Sequence, residues 1–393
     1  MELVVKNINE EEYKTLNLVL SNYFKDSQFE VSCIYEARNK VFKVYNKNTN
    51  KTYNLTKTKY GNMKKSNDQI SKQEAKKRFF ERNNLLLEYC VSSSNASTPK
   101  YYKTLEGKTG FEDAENDWLL REWVEGYDLE ELIGGFLKSN NKDFDEYVFE
   151  LLKIDKTYYN FDKKKSIIFN TLGEIISGFH NKTIEFESND EYYSEHLRRL
   201  KNFAREDEIE EIKKNNPPNV SVISLGDLRT RNIVISKTKN NKLMINLIDT
   251  DGMLKANPSI DYDYFDQDTL EIDWQRIYHF NCNEDLNSSN AKAKTENEIQ
   301  DIDFEQIKKI KDLSFQASHS FNKYYFNKIN KKIKQEFYHY PYMTKLKLSN
   351  ISYFKEVKKI EIPFEKEFLI NEKEKYYKNK SKKLIISPLI ISN

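Results

Sequence analysis

Between residues 223 and 252 the chain reads ISLGDLRTRNIVI, then a lysine-rich turn, then LMINLIDTDG. Asp227 stands five residues before Asn232, and after two short apolar runs Asp249 is followed by Asp251. Carboxylate and amide oxygens at this spacing suit the binding of divalent metal beside a phosphate chain. Asp227 would orient and deprotonate a hydroxyl, Asn232 would give an amide oxygen to one Mg2+, and Asp249, assisted by Asp251, would bridge the metals. The chemistry expected is transfer of a phosphoryl group from ATP. A competing reading is a polar β-hairpin in which Asp and Asn only make turns, since both bond their own backbone readily.

These groups need rigid supports. Val234 and Ile235, with Leu243, Ile245, Leu247 and Ile248, predict two short buried strands that carry the ligands. Residues 166–180 hold Ile168, Leu172, Ile175, Ile176 and Phe179 at helical spacing, a buried helix ending at His180, which reads as structural. Upstream, residues 118–132 (WLLREWVEGYDLEEL) run as an apolar strand, a Glu-Gly break and a helix start. That is how a hinge between two lobes would look, and there the backbone of Glu122 to Val124 would bond an adenine edge. Residues 51–59 alternate as a strand with Leu55, Lys57 and Lys59 on one face. Lys57 would reach the α- and β-phosphates, with Lys43 in VFKVY as the alternative, and Glu74 in a helix over residues 71–88 would ion-pair with the lysine.

Lysine strand, glutamate helix, hinge, catalytic loop and metal aspartate arrive in an order that resembles the protein-kinase-like fold. The nearest likeness is to the aminoglycoside phosphotransferase and choline kinase branch of small-molecule kinases, over roughly residues 29–280. Lipopolysaccharide-sugar kinases share much of the layout. The resemblance implies an α+β, bilobal fold with a small β-rich N-lobe (residues 1–125), a larger helical C-lobe (126–348) and a C-terminal extension (349–393). It implies ATP and Mg2+ as cofactors and places Asn39, in ARNKVFKV, near the nucleotide. It also casts Asp273 with Trp274 as the brace of the catalytic loop. Two features depart from the family: Leu225 stands where a His commonly opens the loop, and no glycine-rich loop separates the first two strands, so phosphate contact there lacks glycine's freedom of approach.

Composition bounds the remainder. The 393 residues exceed the ~250–300 at which a single core stops growing. Sixty-four basic against sixty-two acidic residues leave a net charge of +2, which gives no global field for nucleic acid or an anionic membrane. Cys33, Cys90 and Cys282 have neither metal spacing nor a disulfide framework, which fits a reducing, cytoplasmic setting. No run approaches the ~18 apolar residues of a membrane span, and the start lacks the pattern of a signal peptide.

Residues 261–273 (DYDYFDQDTLEID) form the densest acidic cluster. They read either as a site for a cationic or sugar acceptor or as a solvated loop capping the next helix. Residues 195–214 read as a solvated helix, 281–295 as a polar loop, and 304–325 as a helical core stripe. The tail from residue 349 reads as a hairpin or docking arm with a solvated basic run. A small-molecule hydroxyl is the expected acceptor. The alternatives are a protein acceptor, which the lack of an Ala-Pro-Glu-like anchor disfavours, and a scaffold that transfers nothing. The acceptor's identity and the oligomeric state are not legible.

Overall fold

The computed structural model describes residues 2–6, 9–25, 27–36, 39–59, 72–113, 116–161, 165–186, 220–258, 260–261, 265 and 304–331. The solvated helix, the polar loop, Asp273 with Trp274, Cys282 and the tail from residue 349 lie outside these residues. The architecture is α+β. Two compact units are present: Met1–Gly126 with Asn246–Asp251, and Tyr127–Ile245 with the described residues from Gly252 onward. Asp249 and Asp251, expected in the helical lobe, therefore group with the first unit.

The first unit is built on one sheet. The two-residue strand β5 (Ala96–Ser97) lies outside it, and the sheet's strands are β1 (Glu2–Lys6), β2 (Gln28–Glu36), β3 (Asn39–Asn46), β4 (Lys51–Lys59), β6 (Tyr101–Tyr102), β7 (Phe111–Glu112) and β8 (Asn116–Glu122). They lie in the order β1-β2-β3-β4-β8-β6, with β7 also on β8 and only the β1–β2 pair parallel. The alternation read in residues 51–59 is the strand β4, turned back from β3 at Asn50, whose φ of 53° suits an Asn.

Helix α1 (Glu10–Ser21) starts where the Asn9 side chain accepts the Glu12 N–H at 2.9 Å, and its first turn carries Glu10, Glu11 and Glu12. Acids there offset the unpaired N–H groups and the helix dipole. The helix ends at Ser21, and the Tyr23 hydroxyl then donates to the Trp118 carbonyl at 2.8 Å. Leu16, Val19 and Leu20 bury against Phe42, Val44, Tyr53, Leu55, Trp118 and Leu120. Side chains of that size contribute about 1.5–3 kcal/mol each when fully buried. Leu119, alternating to the opposite face, packs with Tyr101 and with Phe79 and Phe80 of helix α2 (Lys72–Ser92).

The second unit holds helices α3 (Leu129–Lys138), α4 (Phe144–Leu152), α5 (Ile167–Lys182) and α6 (Phe304–Lys328). A capping box of Asp128 and Glu131 starts α3, directly after the short strand β9 (Tyr127–Asp128). Lys309 of α6 closes its other end, donating to the carbonyls of Phe136 at 2.8 Å and Ser139 at 2.9 Å. Helices α5 and α6 approach so closely that a Cβ on Gly173 would lie 2.7 Å from the Phe321 carbonyl oxygen. A run of rings, Phe144, Phe169, Phe265, Phe321 and Tyr325, fills the core beside them. Strands β10 (Val222–Ser224) and β13 (Leu254–Ala256) pair antiparallel, and β11 (Ile233–Lys237) lies between β9 and β12 (Leu243–Leu247). Among the described residues no helix is long and apolar enough to cross a membrane.

Candidate active site

The loop between β10 and β11 carries Asp227 and Asn232. Gly226 has φ 75°, and a Cβ there would lie 2.3 Å from the Gly252 carbonyl oxygen and 2.6 Å from Leu254 Cδ2. Glycine is needed twice over, for the backbone conformation and for the close approach. The pairing of β10 with β13 brings residue 252 to that position.

Asp261 holds the loop from below and is fully buried. Its carboxylate accepts from the Leu225 N–H at 2.7 Å, the Gly226 N–H at 2.9 Å and the Ser224 hydroxyl at 2.7 Å. His180 Nε2 lies 3.0 Å from the same carboxylate, and His180 Nδ1 lies 2.7 Å from the Tyr325 hydroxyl. Asp261 is thus spent on the loop and is not open to a cationic acceptor, in contrast to the expectation for the acidic cluster. Residues 262–264 and 266–273 of that cluster lie outside the described residues. Asp261 braces the loop, a role that sequence reasoning missed; Asp273 lies outside the described residues. Leu225 is buried and keeps its backbone anchored without a ring at that position.

Asp227 and Asn232 meet directly. Asn232 Nδ2 donates to the Asp227 carbonyl at 2.9 Å and to Asp227 Oδ2 at 3.1 Å, across a 3-10 turn over Thr230–Asn232. With the amide nitrogen turned to the loop, Oδ1 is the atom left to act as a ligand. Arg229, also missed by the sequence reading, places Nε 2.5 Å from Asp227 Oδ1. The Asp227 side chain is 31% exposed, so it is open to a reactant.

Asp249 sits in the first unit with φ 57°. A non-glycine residue in this region is costly by about 1–3 kcal/mol, and such strain concentrates at functional positions. Buried hydroxyls fix the chain on both sides: Thr98 donates to the Leu247 carbonyl at 2.9 Å, and Thr250 donates to Asn83 Oδ1 of α2 at 2.9 Å. Arg121 of β8 places Nη1 3.8 Å from Asp249 Oδ1. Asp251 falls in the turn Thr250–Gly252, and its side chain is outside those described.

The expected lysine–glutamate pair does not form. Glu74 pairs with Arg78 at 3.0 Å, one turn along α2, while Lys57 Nζ lies 5.3 Å over the Trp118 ring. Lys57 is directly opposite Trp118 in the β4–β8 ladder, so it shares the sheet face that packs on α1. The buried lysine of α2 is instead Lys76, which bonds Asp117 at 2.6 Å and also contacts Glu112. Lys43 lies on the α2 side of the sheet, with Nζ 4.6 Å over the Trp123 ring.

The remaining nucleotide expectations divide. The Glu122 amide is taken by the Lys100 carbonyl at 2.9 Å, and the Glu122 carboxylate accepts the Tyr102 hydroxyl at 3.3 Å. Burial first, then the Glu122 charge, hold that phenol well above the ordinary tyrosine range. Among the described residues no hydrogen bond engages the main chain of Val124, which leaves its donor and acceptor open. Asn39 Oδ1 is buried and has no hydrogen-bond partner. A buried, unmatched acceptor is costly unless a ligand satisfies it.

Among the described residues no group of three or more His, Cys, Asp or Glu side chains forms a protein-only metal cage. Mg2+ with ATP does not require one. It takes one or two carboxylates and completes its shell with phosphate and water oxygens. Asn232 Oδ1 and the exposed carboxylate of Asp249 are donors of that kind.

No family model and no curated protein matches the chain. Solved structures do. A spectinomycin phosphotransferase in complex with ADP and spectinomycin is 12% identical, with 95% of each chain covered and a TM-score of 0.42. The GDP and kanamycin complex of an aminoglycoside phosphotransferase is 12% identical, covering 94% of this chain and 98% of that one, with a TM-score of 0.43. The ethanolamine kinase of Plasmodium vivax is 17% identical, covering 87% and 89%, with a TM-score of 0.34. The chain is similar to these small-molecule phosphotransferases, and at this level the likeness says no more than that.

Proposed function

We propose that the chain is an ATP- and Mg-dependent phosphotransferase that moves the γ-phosphoryl group of ATP to a hydroxyl of a small molecule. One observation carries the reading: Asn232 is bonded to Asp227 through its amide nitrogen, on a loop whose backbone is clamped by the buried Asp261. A polar hairpin that only makes turns would not need a fully buried carboxylate beneath it. Asp227 Oδ takes the proton of the acceptor hydroxyl, whose oxygen forms the new bond to the γ-phosphorus. The bond from that phosphorus to the β–γ bridging oxygen breaks, and ADP leaves.

Asn232 and Asp249 would hold Mg2+, which when bound offsets charge on the phosphate oxygens. Two residues, Thr250 and Asp251, separate Asp249 from Gly252 in the chain, and a Cβ built on Gly252 would lie 3.9 Å from Asp227 Cβ. Val124 would bond the adenine edge, and Asn39 would lie near the nucleotide. Asp251 would support Asp249. We place the reaction in the cytoplasm, in keeping with three cysteines whose spacing suits neither a disulfide framework nor a metal.

Thermal unfolding with and without Mg-ATP, followed by ADP release in the presence of fractionated metabolites, tests the reading. Mg-dependent stabilisation and ADP formation with low-molecular-weight fractions are expected. Label from ATP appearing in protein rather than metabolite would replace the acceptor class. No Mg-ATP stabilisation would favour a scaffold that transfers nothing.

A further inference from the structure

We propose that Arg121 is the cation that meets the phosphates of the nucleotide, in the place where sequence reasoning put Lys57 or Lys43. The inference rests on the phosphotransferase reading above and names a residue that reading does not contain.

The β4–β8 register decides which cation can serve. Lys57 stands opposite Trp118, and Leu55 opposite Leu120, so all four side chains share the face that packs on α1. Lys57 Nζ is already seated over Trp118. Arg121 stands opposite Asn54 on one side and Tyr101 on the other, on the face that carries Leu119 and α2. Asp249 is reached from this second face. Lys43 also lies there, but opposite Asn54, which places it two strands away from Arg121, or about 10 Å at the usual strand spacing.

Arg121 is held ready. Its side chain is 11% exposed, its guanidinium lies 5.8 Å over the Tyr101 ring, and Nη1 donates to the Tyr101 hydroxyl at 3.0 Å. A stacked, planar fork with five donors loses little freedom on binding and matches phosphate oxygens in pairs. Its distance to Asp249 Oδ1, 3.8 Å, is longer than the usual ~2.7–2.9 Å of a charge-assisted hydrogen bond. The two groups attract without closing. That gap would leave the carboxylate able to hold Mg2+ and the guanidinium able to hold phosphate oxygens. Before nucleotide arrives, the arginine offsets the charge of Asp249 in its left-handed conformation.

Calorimetric titration of the full chain with Mg-ATP and with adenosine tests the assignment on Arg121→Met, Arg121→Lys and Lys57→Met. Arg121→Met should weaken Mg-ATP by roughly tenfold or more, the loss of one charge-assisted hydrogen bond, and leave adenosine affinity unchanged. Unchanged adenosine binding also shows that the variant is folded. Arg121→Lys should recover part of the loss, because it restores charge without the fork, and Lys57→Met should match the parent. Parent-like Mg-ATP affinity in Arg121→Met, or a loss in Lys57→Met alone, overturns the inference while leaving the phosphotransferase reading intact. Absence of Mg-ATP binding by the parent chain removes that reading and this inference together.

Discussion

His180 Nε2 lies 3.0 Å from Asp261 Oδ2, and neither side chain has any exposure to solvent. The contact joins the end of α5 to the carboxylate that grips the backbone of Leu225 and Gly226. It makes His180 a support for the carboxylate beneath the loop rather than a group in contact with Asp227.

Replacing Asp261 with Ala strands two N–H groups, a hydroxyl and a ring nitrogen in the interior. A destabilisation of about 3–5 kcal/mol is expected from breaking such a buried cluster. Asp261→Asn keeps one acceptor and should cost less, while still lowering turnover more than it lowers Mg-ATP affinity. Urea unfolding alongside kcat and calorimetric Kd checks both statements. An Asp261→Ala chain as stable as the parent would show that the clamp carries no weight.

Gly226→Ala meets two obstacles at once, the φ of 75° and the Gly252 carbonyl 2.3 Å from the new Cβ. The neighbour is backbone, so relief requires moving the loop. We expect a loss of about 2–5 kcal/mol, the sum of left-handed strain and overpacking, and a fall in turnover that persists at temperatures where the variant is fully folded. Circular dichroism melting with parallel rate measurements separates the two effects.

The pieces of this site differ in how far the sequence discloses them. The strand over 51–59 and the helix after Ser166 are legible because apolar period and caps agree over many residues. Asp227 and Asn232 are legible because their pairing spans only five residues. Asp261 is not, since its partners lie 35–37 residues back along the chain and 81 for His180, and its acidic neighbours look alike in sequence. Lys57 lies on the opposite sheet face from Arg121, for a definable reason. Alternation groups it with Leu55, and Leu55 belongs to the face that the core claims. Arg121 was passed over because it sits in an apolar strand where only parity, not composition, shows which face it joins.

Asp145 offers a pH signature away from the site. Burial pushes its carboxyl up to about 7, against the pull of the Ser166 hydroxyl at 2.7 Å and the Ile167 N–H, both of which donate to it. The folded state therefore holds this proton more tightly than the unfolded chain, whose Asp titrates near 3.8. Its contribution is fully present below about pH 4 and is lost as pH rises through about 7. The span is worth at most about 4 kcal/mol. Asp145→Asn should flatten the fall in stability between pH 5 and pH 8, as read by urea unfolding at each pH. An unchanged slope would remove Asp145 as its source.

Asp249→Ala should abolish Mg-dependent nucleotide binding while leaving adenosine affinity near that of the parent. Titration with ATP in the presence of Mg2+ and of EDTA reads this directly. Equal Mg-ATP affinity in parent and variant would take Asp249 out of the metal site.

The most direct test compares the parent with Asp227→Asn in ADP formation, with ATP, Mg2+ and a low-molecular-weight metabolite fraction present, alongside calorimetric Mg-ATP affinity. The substitution keeps size and one of the two oxygens that face Asn232 Nδ2 and Arg229 Nε, but removes the group that accepts the proton, worth about 10²–10⁴ in rate. A fall of that order with Mg-ATP affinity unchanged is the expected result. Turnover near the parent rate in Asp227→Asn would contradict the account.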